Sequence, residues 1–399
     1  MGGDGSINRH RVPGHRKALR AALTLLLAVP LMVTPAHADE PPPVPPRRIS
    51  VALVGDVIAH ASINTRARLN ANRTSFDYRP MFADIRPIIE AADLAICNLE
   101  GPIAPAGARY TGAPRFASPA AIVQSLKDVG FDRCSTATNH ANDKGPAGIE
   151  ATLEAFEAAG LGASGTGRTR EEAIAAVVDV NGVKVAHLSY TFGFSSQRNL
   201  FLRSKMWINL LRAEQVIADA TDARQRGAEV VIVSLHWGGE FRPGISTSQR
   251  KIAELITASG QVDLIAGHHA HVIQPIHQVN GTWVLYGLGN FLSNQRRDTV
   301  GHAATQDGII ARVTFTEGEG GRFTVSRPEV VPTWVMPKTF EILEVARRKS
   351  DTSLILRYRI GLNKSWLRTL KVVVDYLAPP PAPCQQAADK SAVRPACVG

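Results

Sequence analysis

Aromatic residues make up only 6% of the 399-residue chain, and there are four cysteines. Nucleic-acid binders commonly set aromatic stacking platforms in basic grooves. No stretch here interleaves the two, so no nucleic-acid partner is expected. No apolar run reaches the roughly 20 residues that cross a bilayer. The longest, residues 21–33, stops at 13 and contains Pro30. No internal repeat is visible, which sets aside solenoids and propellers. Four cysteines are too few for a disulfide-built scaffold of this length, whereas 44% hydrophobic residues suffice for a large core.

Polar residues are present where packing alone would not put them. Five short apolar, strand-like runs each end in potential ligands: Val51-Ala-Leu-Val-Gly-Asp56, Leu94-Ala-Ile-Cys-Asn-Leu-Glu100, Ser135-Thr-Ala-Thr-Asn139-His140, Val230-Val-Ile-Val-Ser-Leu-His236, and Val262-Asp-Leu-Ile-Ala-Gly-His268-His269-Ala-His271. In α/β folds, ligands bind just outside the carboxyl ends of the strands. The five ends therefore converge on one site if the strands share a sheet. Asp, Glu, Asn and His together form an oxygen and nitrogen set suited to Mn, Fe or Zn. His269 and His271 flank a single small residue, so both imidazoles can reach one point. The bland alternative, a His-rich surface turn, does not account for the other four ends.

The chain resembles the CapA family of capsule or poly-γ-glutamate synthesis proteins, a branch of the calcineurin-like metallophosphoesterase superfamily. The resemblance spans residues 49–335. It rests on Gly55-Asp56-Val57, Asn98-Leu99-Glu100-Gly101-Pro102-Ile103, Ala137-Thr138-Asn139-His140, His236-Trp237-Gly238 with Glu240-Phe241, Gly267-His268-His269-Ala270-His271-Val272-Ile273-Gln274-Pro275, and Tyr286-Gly287-Leu288-Gly289-Asn290-Phe291. It implies a four-layer α/β/β/α sandwich of the metallophosphoesterase type. It implies Asp56, Glu100, Asn139, His236, His269 and His271 as ligands to one or two divalent ions, with His140 beside them acting on the leaving group. One position departs from the superfamily's Asp-x-His: two residues after Asp56 stands Ile58. His60 could fill that gap only if the turn is helical. Arg198 and Arg203 are candidate contacts to an anionic substrate, with solvated loop charges as the alternative. Asn290 is a candidate to orient a ligating histidine, or a structural turn.

Two functions follow from the resemblance. One is a metal-dependent hydrolase or transferase acting on an anionic envelope polymer or a small phosphorylated substrate. The other is a non-catalytic accessory protein that binds such a polymer and assists its export, alongside other capsule-synthesis proteins.

The ends of the chain carry address and spacer. Residues 1–38 hold five basic residues, one acid, the apolar stretch and an Ala36-His37-Ala38 cleavage signal. They are expected to form a Sec signal peptide, with an uncleaved anchor as the alternative; a cleaved protein would meet the membrane only peripherally. Without that segment the net charge falls from +10 to +6. Residues 39–48 are a proline-rich linker, 49–340 the catalytic domain, 341–378 an extension, and 379–399 a Pro/Cys-containing tail. Cys384 and Cys397 in that tail can close a small loop. Cys97 and Cys134 sit on adjacent expected strands, either paired or, as favoured, buried thiols.

Strands are expected near 49–55, 93–97, 131–136, 183–190, 229–235, 262–266, 271–279, 283–288 and 308–316. Helices are expected over 119–128, 148–159, 210–226 and 247–258, with Gly160, Gly227 and Gly260 as C-terminal caps. Asn181-Gly182 and Asn280-Gly281 signal hairpins. The alternation predicts a largely parallel sheet. The run of strands after His271 predicts a second, mixed sheet.

Overall fold

A computed structural model describes residues 1–2, 45–174, 176–195 and 206–376. Arg198, Arg203, Cys384, Cys397 and the signal segment lie outside the described residues. Everything below concerns the unit that begins at Pro46.

The strands are β1 (Arg48–Val57), β2 (Leu94–Leu99), β3 (Arg133–Ser135), β4 (Gly162–Ser164), β5 (Thr166–Gly167), β6 (Val178–Val180), β7 (Val183–Thr191), β8 (Trp207–Ile208), β9 (Val230–His236), β10 (Leu264–His268), β11 (Ile276–Val279), β12 (Thr282–Leu285), β13 (Asn290–Leu292), β14 (Asp307–Glu317), β15 (Phe323–Val325), β16 (Glu329–Val335) and β17 (Ile342–Glu344). They form two large sheets and a small ribbon, β5-β8. The first sheet runs β17-β16-β14-β1-β2-β3-β4, with β13 on β1 and β15 on β14; the second runs β11-β12-β10-β9-β7-β6. Strands β1 to β4 are mutually parallel, as are β7, β9, β10 and β12.

Alternation along β1 shows why the sheets stack. Successive side chains point to opposite faces. Ala52 and Val54 join one core, packed under helices Ala61–Asn70, Ala121–Val129 and Gly145–Ala159, together with Ile63, Leu126 and Phe156. Ile49, Val51 and Leu53 join a second core that includes Val185, Ile232 and Leu264 of the other sheet. A third core packs Val231, Val233 and Ile265 against Val216 and Ile256 of helices Ala213–Gln225 and Thr247–Ala258. Three cores separate four layers, the expected α/β/β/α sandwich.

The expected caps and hairpins are present. Gly160, Gly227 and Gly260 all have left-handed backbones. Asn181-Gly182 joins the antiparallel β6 and β7, and Asn280-Gly281 joins β11 and β12, all four residues at positive φ. Three expectations are corrected. The strands after His271 do not make their own sheet: β11 and β12 extend β10, while β13 and β14 extend β1. The chain crosses between sheets at Tyr286-Gly-Leu-Gly-Asn290. There Leu288 N–H donates to Gly267 O and Asp56 N–H to Gly289 O. A Cβ on Gly55 or Gly267 would stand 2.0 Å from a carbonyl oxygen of that crossing, so only glycine fits. The expected strand 271–279 begins only at Ile276, because His269 and His271 take left-handed φ of 82° and 55° and fold the chain into a turn. Cys97 and Cys134 face each other in register and are joined as a disulfide rather than left as thiols.

Candidate metal centre

The ligand-bearing strand ends come from both sheets, not one. Asp56, Glu100 and Asn139 are delivered by β1, β2 and the turn after β3. His236, His268, His269 and His271 are delivered by β9 and β10. All seven are buried. The site lies where the carboxyl ends of the two parallel sets meet.

Two clusters share Glu100. Glu100, His236 and His269 place one donor atom each within 4.8 Å of one another, and so do Asp56, Glu100 and His271. A third grouping, of His269 and His271 with Glu240, involves an exposed carboxylate. Asn139 joins the first cluster, its Oδ1 3.0 Å from His236 Nε2, and its amide donates to Ser195 Oγ at 2.7 Å. His236 Nε2 lies 3.9 Å from Glu100 Oε1.

The clusters differ in how far the protein itself satisfies them. Asp56 Oδ1 accepts from Asn98 Nδ2 at 2.8 Å and lies 3.4 Å from His268 Nδ1. Its Oδ2 accepts from His269 N–H at 3.2 Å and lies 3.1 Å from His271 Nδ1. A carboxylate offers about four acceptor positions; three contacts lie within 3.2 Å, and His268 Nδ1 stands off without a hydrogen bond. In the first cluster the Nδ1 atoms of His236 and His269 are buried without a hydrogen-bond partner, as is Oε2 of the Glu100 that both clusters share.

Charge follows the same division. Burial pushes Asp56 up, but His268 and His271 hold it well below the usual carboxylate range. Burial opposes charge on His271, yet Glu100 and Asp56 raise it to about 9. Burial drives His236 well below its ordinary value and His269 to about 4, so both rings are neutral, the form that binds metals. Burial, aided by Asp56, lifts Glu100 to about 7. A half-satisfied buried carboxylate beside two neutral imidazoles and an amide oxygen fits a divalent cation.

His140 stands beside this set. Its Nδ1 is 2.7 Å from Asp143 Oδ2, which also accepts Phe116 N–H at 2.8 Å, and the Phe116 ring meets His140 edge-on at 4.7 Å. Burial works against a charged ring, but Asp143 and then Glu100 raise His140 above its ordinary value.

Asn290 Oδ1 lies 3.1 Å from His271 Nδ1, and its amide donates to Thr305 O at 2.8 Å, at the end of the crossing segment. Ile58 is 1% exposed. His60 does not replace the missing histidine: it is the N-cap residue of helix Ala61–Asn70, and its Nδ1 accepts from Asn294 N–H. Sequence reasoning did not single out Asn98, His268 or Ser195 as site residues. Asn98 was legible by alternation, since it shares a face with Glu100 two residues on. Ser195 follows from no local pattern.

The family model described as "Bacterial capsule synthesis protein PGA_cap" matches residues 50–295, more than half of the chain. The chain belongs to this family. Over 288 residues it is 28% identical to the PGA biosynthesis protein CapA of Bacillus subtilis, covering 70% of each chain. Over 272 residues it is 27% identical to the capsule biosynthesis protein CapA of Bacillus anthracis, covering 66% of this chain and 63% of that one. Among solved structures, the calcineurin-like phosphoesterase YfkN of Bacillus subtilis aligns with a TM-score of 0.45 and 14% identity over 82% of this chain and 98% of that chain. That likeness is too distant to bear on the chemistry. The PGA_cap match contains every candidate ligand, from Asp56 to His271, together with His140 and Asn290.

Proposed function

We propose that this PGA_cap protein is a metal-dependent hydrolase or transferase acting at the cell envelope on an anionic polymer of the poly-γ-glutamate type or on a small phosphorylated substrate. The observation that carries this reading is the first cluster. Glu100, Asn139, His236 and His269 converge with buried atoms left unpartnered, and a histidine held by its own carboxylate stands beside them. A divalent cation held there would supply Lewis acidity to a water molecule and to the oxygen of the substrate's phosphoryl or carbonyl group, making the attached phosphorus or carbon more electrophilic.

The chain's own residues do the rest. Ser195 fixes the Asn139 amide so that its oxygen faces His236. Asp56 holds the His268–His271 turn from below through one backbone and two imidazole contacts. Burial keeps His236 and His269 neutral. Asp143 holds His140 by Nδ1, leaving Nε2 to pass a proton to the leaving group. A second ion would fall to Asp56, Glu100 and His271, but Asp56 is already engaged by its own contacts and Glu100 is shared with the first cluster. One firmly held ion is therefore the expected state.

Elemental analysis of the purified protein and of His236→Ala tests this directly. A manganese, iron or zinc content that falls on substitution supports it; equal and negligible metal in both defeats it. The accessory reading, in which the site binds a polymer without turnover, draws on one observation: Ile58 occupies the place of a ligand. We also propose export through the Sec route with cleavage after Ala38. Among the described residues no helix is long and apolar enough to cross a membrane. Amino-terminal sequencing of the exported protein decides between cleavage and an uncleaved anchor.

A further inference from the structure

Away from the candidate metal centre, a second feature lies between the two sheets at their edge. Arg133 occupies the first position of β3, and Ser135, two residues on and therefore on the same face, donates to Ser189 of β7 across the gap at 2.8 Å. Arg133 thus points between the sheets. It is 5% exposed, its Nε is buried without a partner, and no carboxylate of the described residues pairs with its guanidinium. Burial pushes its pKa down to about 10, with only the neighbouring Asp132 working the other way. His187, on β7, is close enough to feel this charge, and its Nδ1 is likewise without a partner.

A buried cation with no partner is costly. Arg133 lines a cavity of about 540 Å³ that opens between edge strands β4 and β6. It is also lined by Leu153, Phe156, Leu161, Ala163 and Val178. Gly162 completes the approach: a Cβ there would stand 3.0 Å from Arg133 Cβ and 3.5 Å from its guanidinium carbon. The volume is that of a small-molecule site.

We propose that this cavity binds a small monocarboxylate with an apolar tail, its carboxylate paired with the Arg133 guanidinium. The planar fork of arginine matches a carboxylate in two parallel hydrogen bonds, and one negative charge neutralises the single buried positive one. The rim selects against more charge. Glu157, Glu171 and Glu172 line the mouth; Arg168 already holds Glu157 at 2.6 Å and Glu172 at 2.5 Å, and Arg226 is paired with Asp222. A polyanion or a phosphate dianion would meet carboxylates at the entrance and only one cation inside. This site is thus distinct in position and in ligand from the polymer-processing centre.

The test titrates the full-length, metal-loaded protein with acetate, butyrate, hexanoate and inorganic phosphate, following thermal stability and calorimetric affinity. Hexanoate is expected to bind more tightly than acetate. Arg133→Met should weaken hexanoate about ten- to a hundredfold. Because Met removes an unpaired buried charge, it should also raise the Tm of the unliganded protein. Val178→Phe, which narrows the cavity and leaves Arg133 in place, should weaken hexanoate more than acetate; this variant carries the test if Arg133→Met does not fold. Carboxylates can also ligate metals, so His236→Ala is the control, and it should bind hexanoate as the wild type does. The proposal is overturned if no carboxylate binds, if hexanoate binds Arg133→Met equally well, if binding is lost in His236→Ala, or if phosphate binds through Arg133 as tightly as hexanoate.

Discussion

His140 separates an enzyme from a binder, and its contacts set the size of the expected effects. It belongs to none of the groups of donor atoms, among the described residues, that could hold a cation. Among the described residues its strong polar contact is to Asp143, at 2.7 Å. His140→Ala therefore removes a proton donor and leaves the metal ligands intact. General acid catalysis is worth about 10²–10⁴-fold in rate, so turnover should fall by that factor while metal content stays at the wild-type level. Asp143→Asn keeps a side chain of the same shape but removes the charge that raises the His140 pKa. A hydrogen bond to a charged group contributes about 1.5–3 kcal/mol, which corresponds to about 10–100-fold in rate. Asp143→Asn should thus be less damaging than His140→Ala, and the double variant no worse than His140→Ala alone. The assay follows phosphodiester, phosphomonoester and poly-γ-glutamate substrates with added manganese, alongside elemental analysis. If metal content falls together with activity in His140→Ala, the residue is a ligand and the reasoning fails. If the wild type turns over none of these substrates, the accessory role gains the weight.

Three other outcomes are expected. Gly55→Ala should destabilise the protein by about 3 kcal/mol, the upper part of the overpacking range, because its Cβ would stand 2.0 Å from Gly289 O; a urea midpoint unchanged from wild type would contradict this. His187 is held neutral in the fold, by burial first and by Arg133 and His268 after it, while the unfolded chain takes up a proton below its ordinary value near 6.5. Stability should therefore be lost as pH falls below about 6.5, and His187→Gln should lessen that slope by about 1.4 kcal/mol per pH unit, read from urea unfolding at pH 5 and pH 7. Ile58→His should restore a ligand beside Asp56 and raise the metal content from about one to about two ions per chain, measured by elemental analysis.

The sequence made the strand ends legible because a buried strand must be apolar, so a carboxylate or imidazole at its end stands out. The same contrast located Asp56, Glu100, His236 and the His-x-His pair, all of which converge. Which sheet carried each end was not legible. Both parallel sets read alike, and the assignment depends on where the Tyr286–Asn290 segment crosses, a matter of backbone contact at Gly55 and Gly267 rather than of side-chain pattern. Helix Leu356–Val373 was missed because its core contacts, through Leu362 and Val373, are few and much of it is exposed. Ser195 reaches Asn139 over 56 residues, and no periodicity encodes such a pairing. The pairing of Cys97 with Cys134 was open in sequence because a buried thiol and a half-cystine place the same demands on their neighbours.

The unequal satisfaction of the two clusters also bears on what the missing histidine means. If Ile58 marked a decaying site, the losses should spread to the residues that hold the ligands in place. They do not. Asn98, His268 and Asn290 all brace the Asp56–His271 side, and Ser195 braces Asn139. Holding Asp56 ionised in a buried site is costly, and a site kept only as a relic gains nothing from that cost. Asp56 is spent on the His268–His271 turn, whose two left-handed histidines need a fixed anchor. That turn in turn presents His269 to Glu100 and His236. On this view Ile58 did not disable the centre. The proposed cation is expected beside Glu100, Asn139, His236 and His269, with Asp56 and the His268–His271 turn holding those side chains in place.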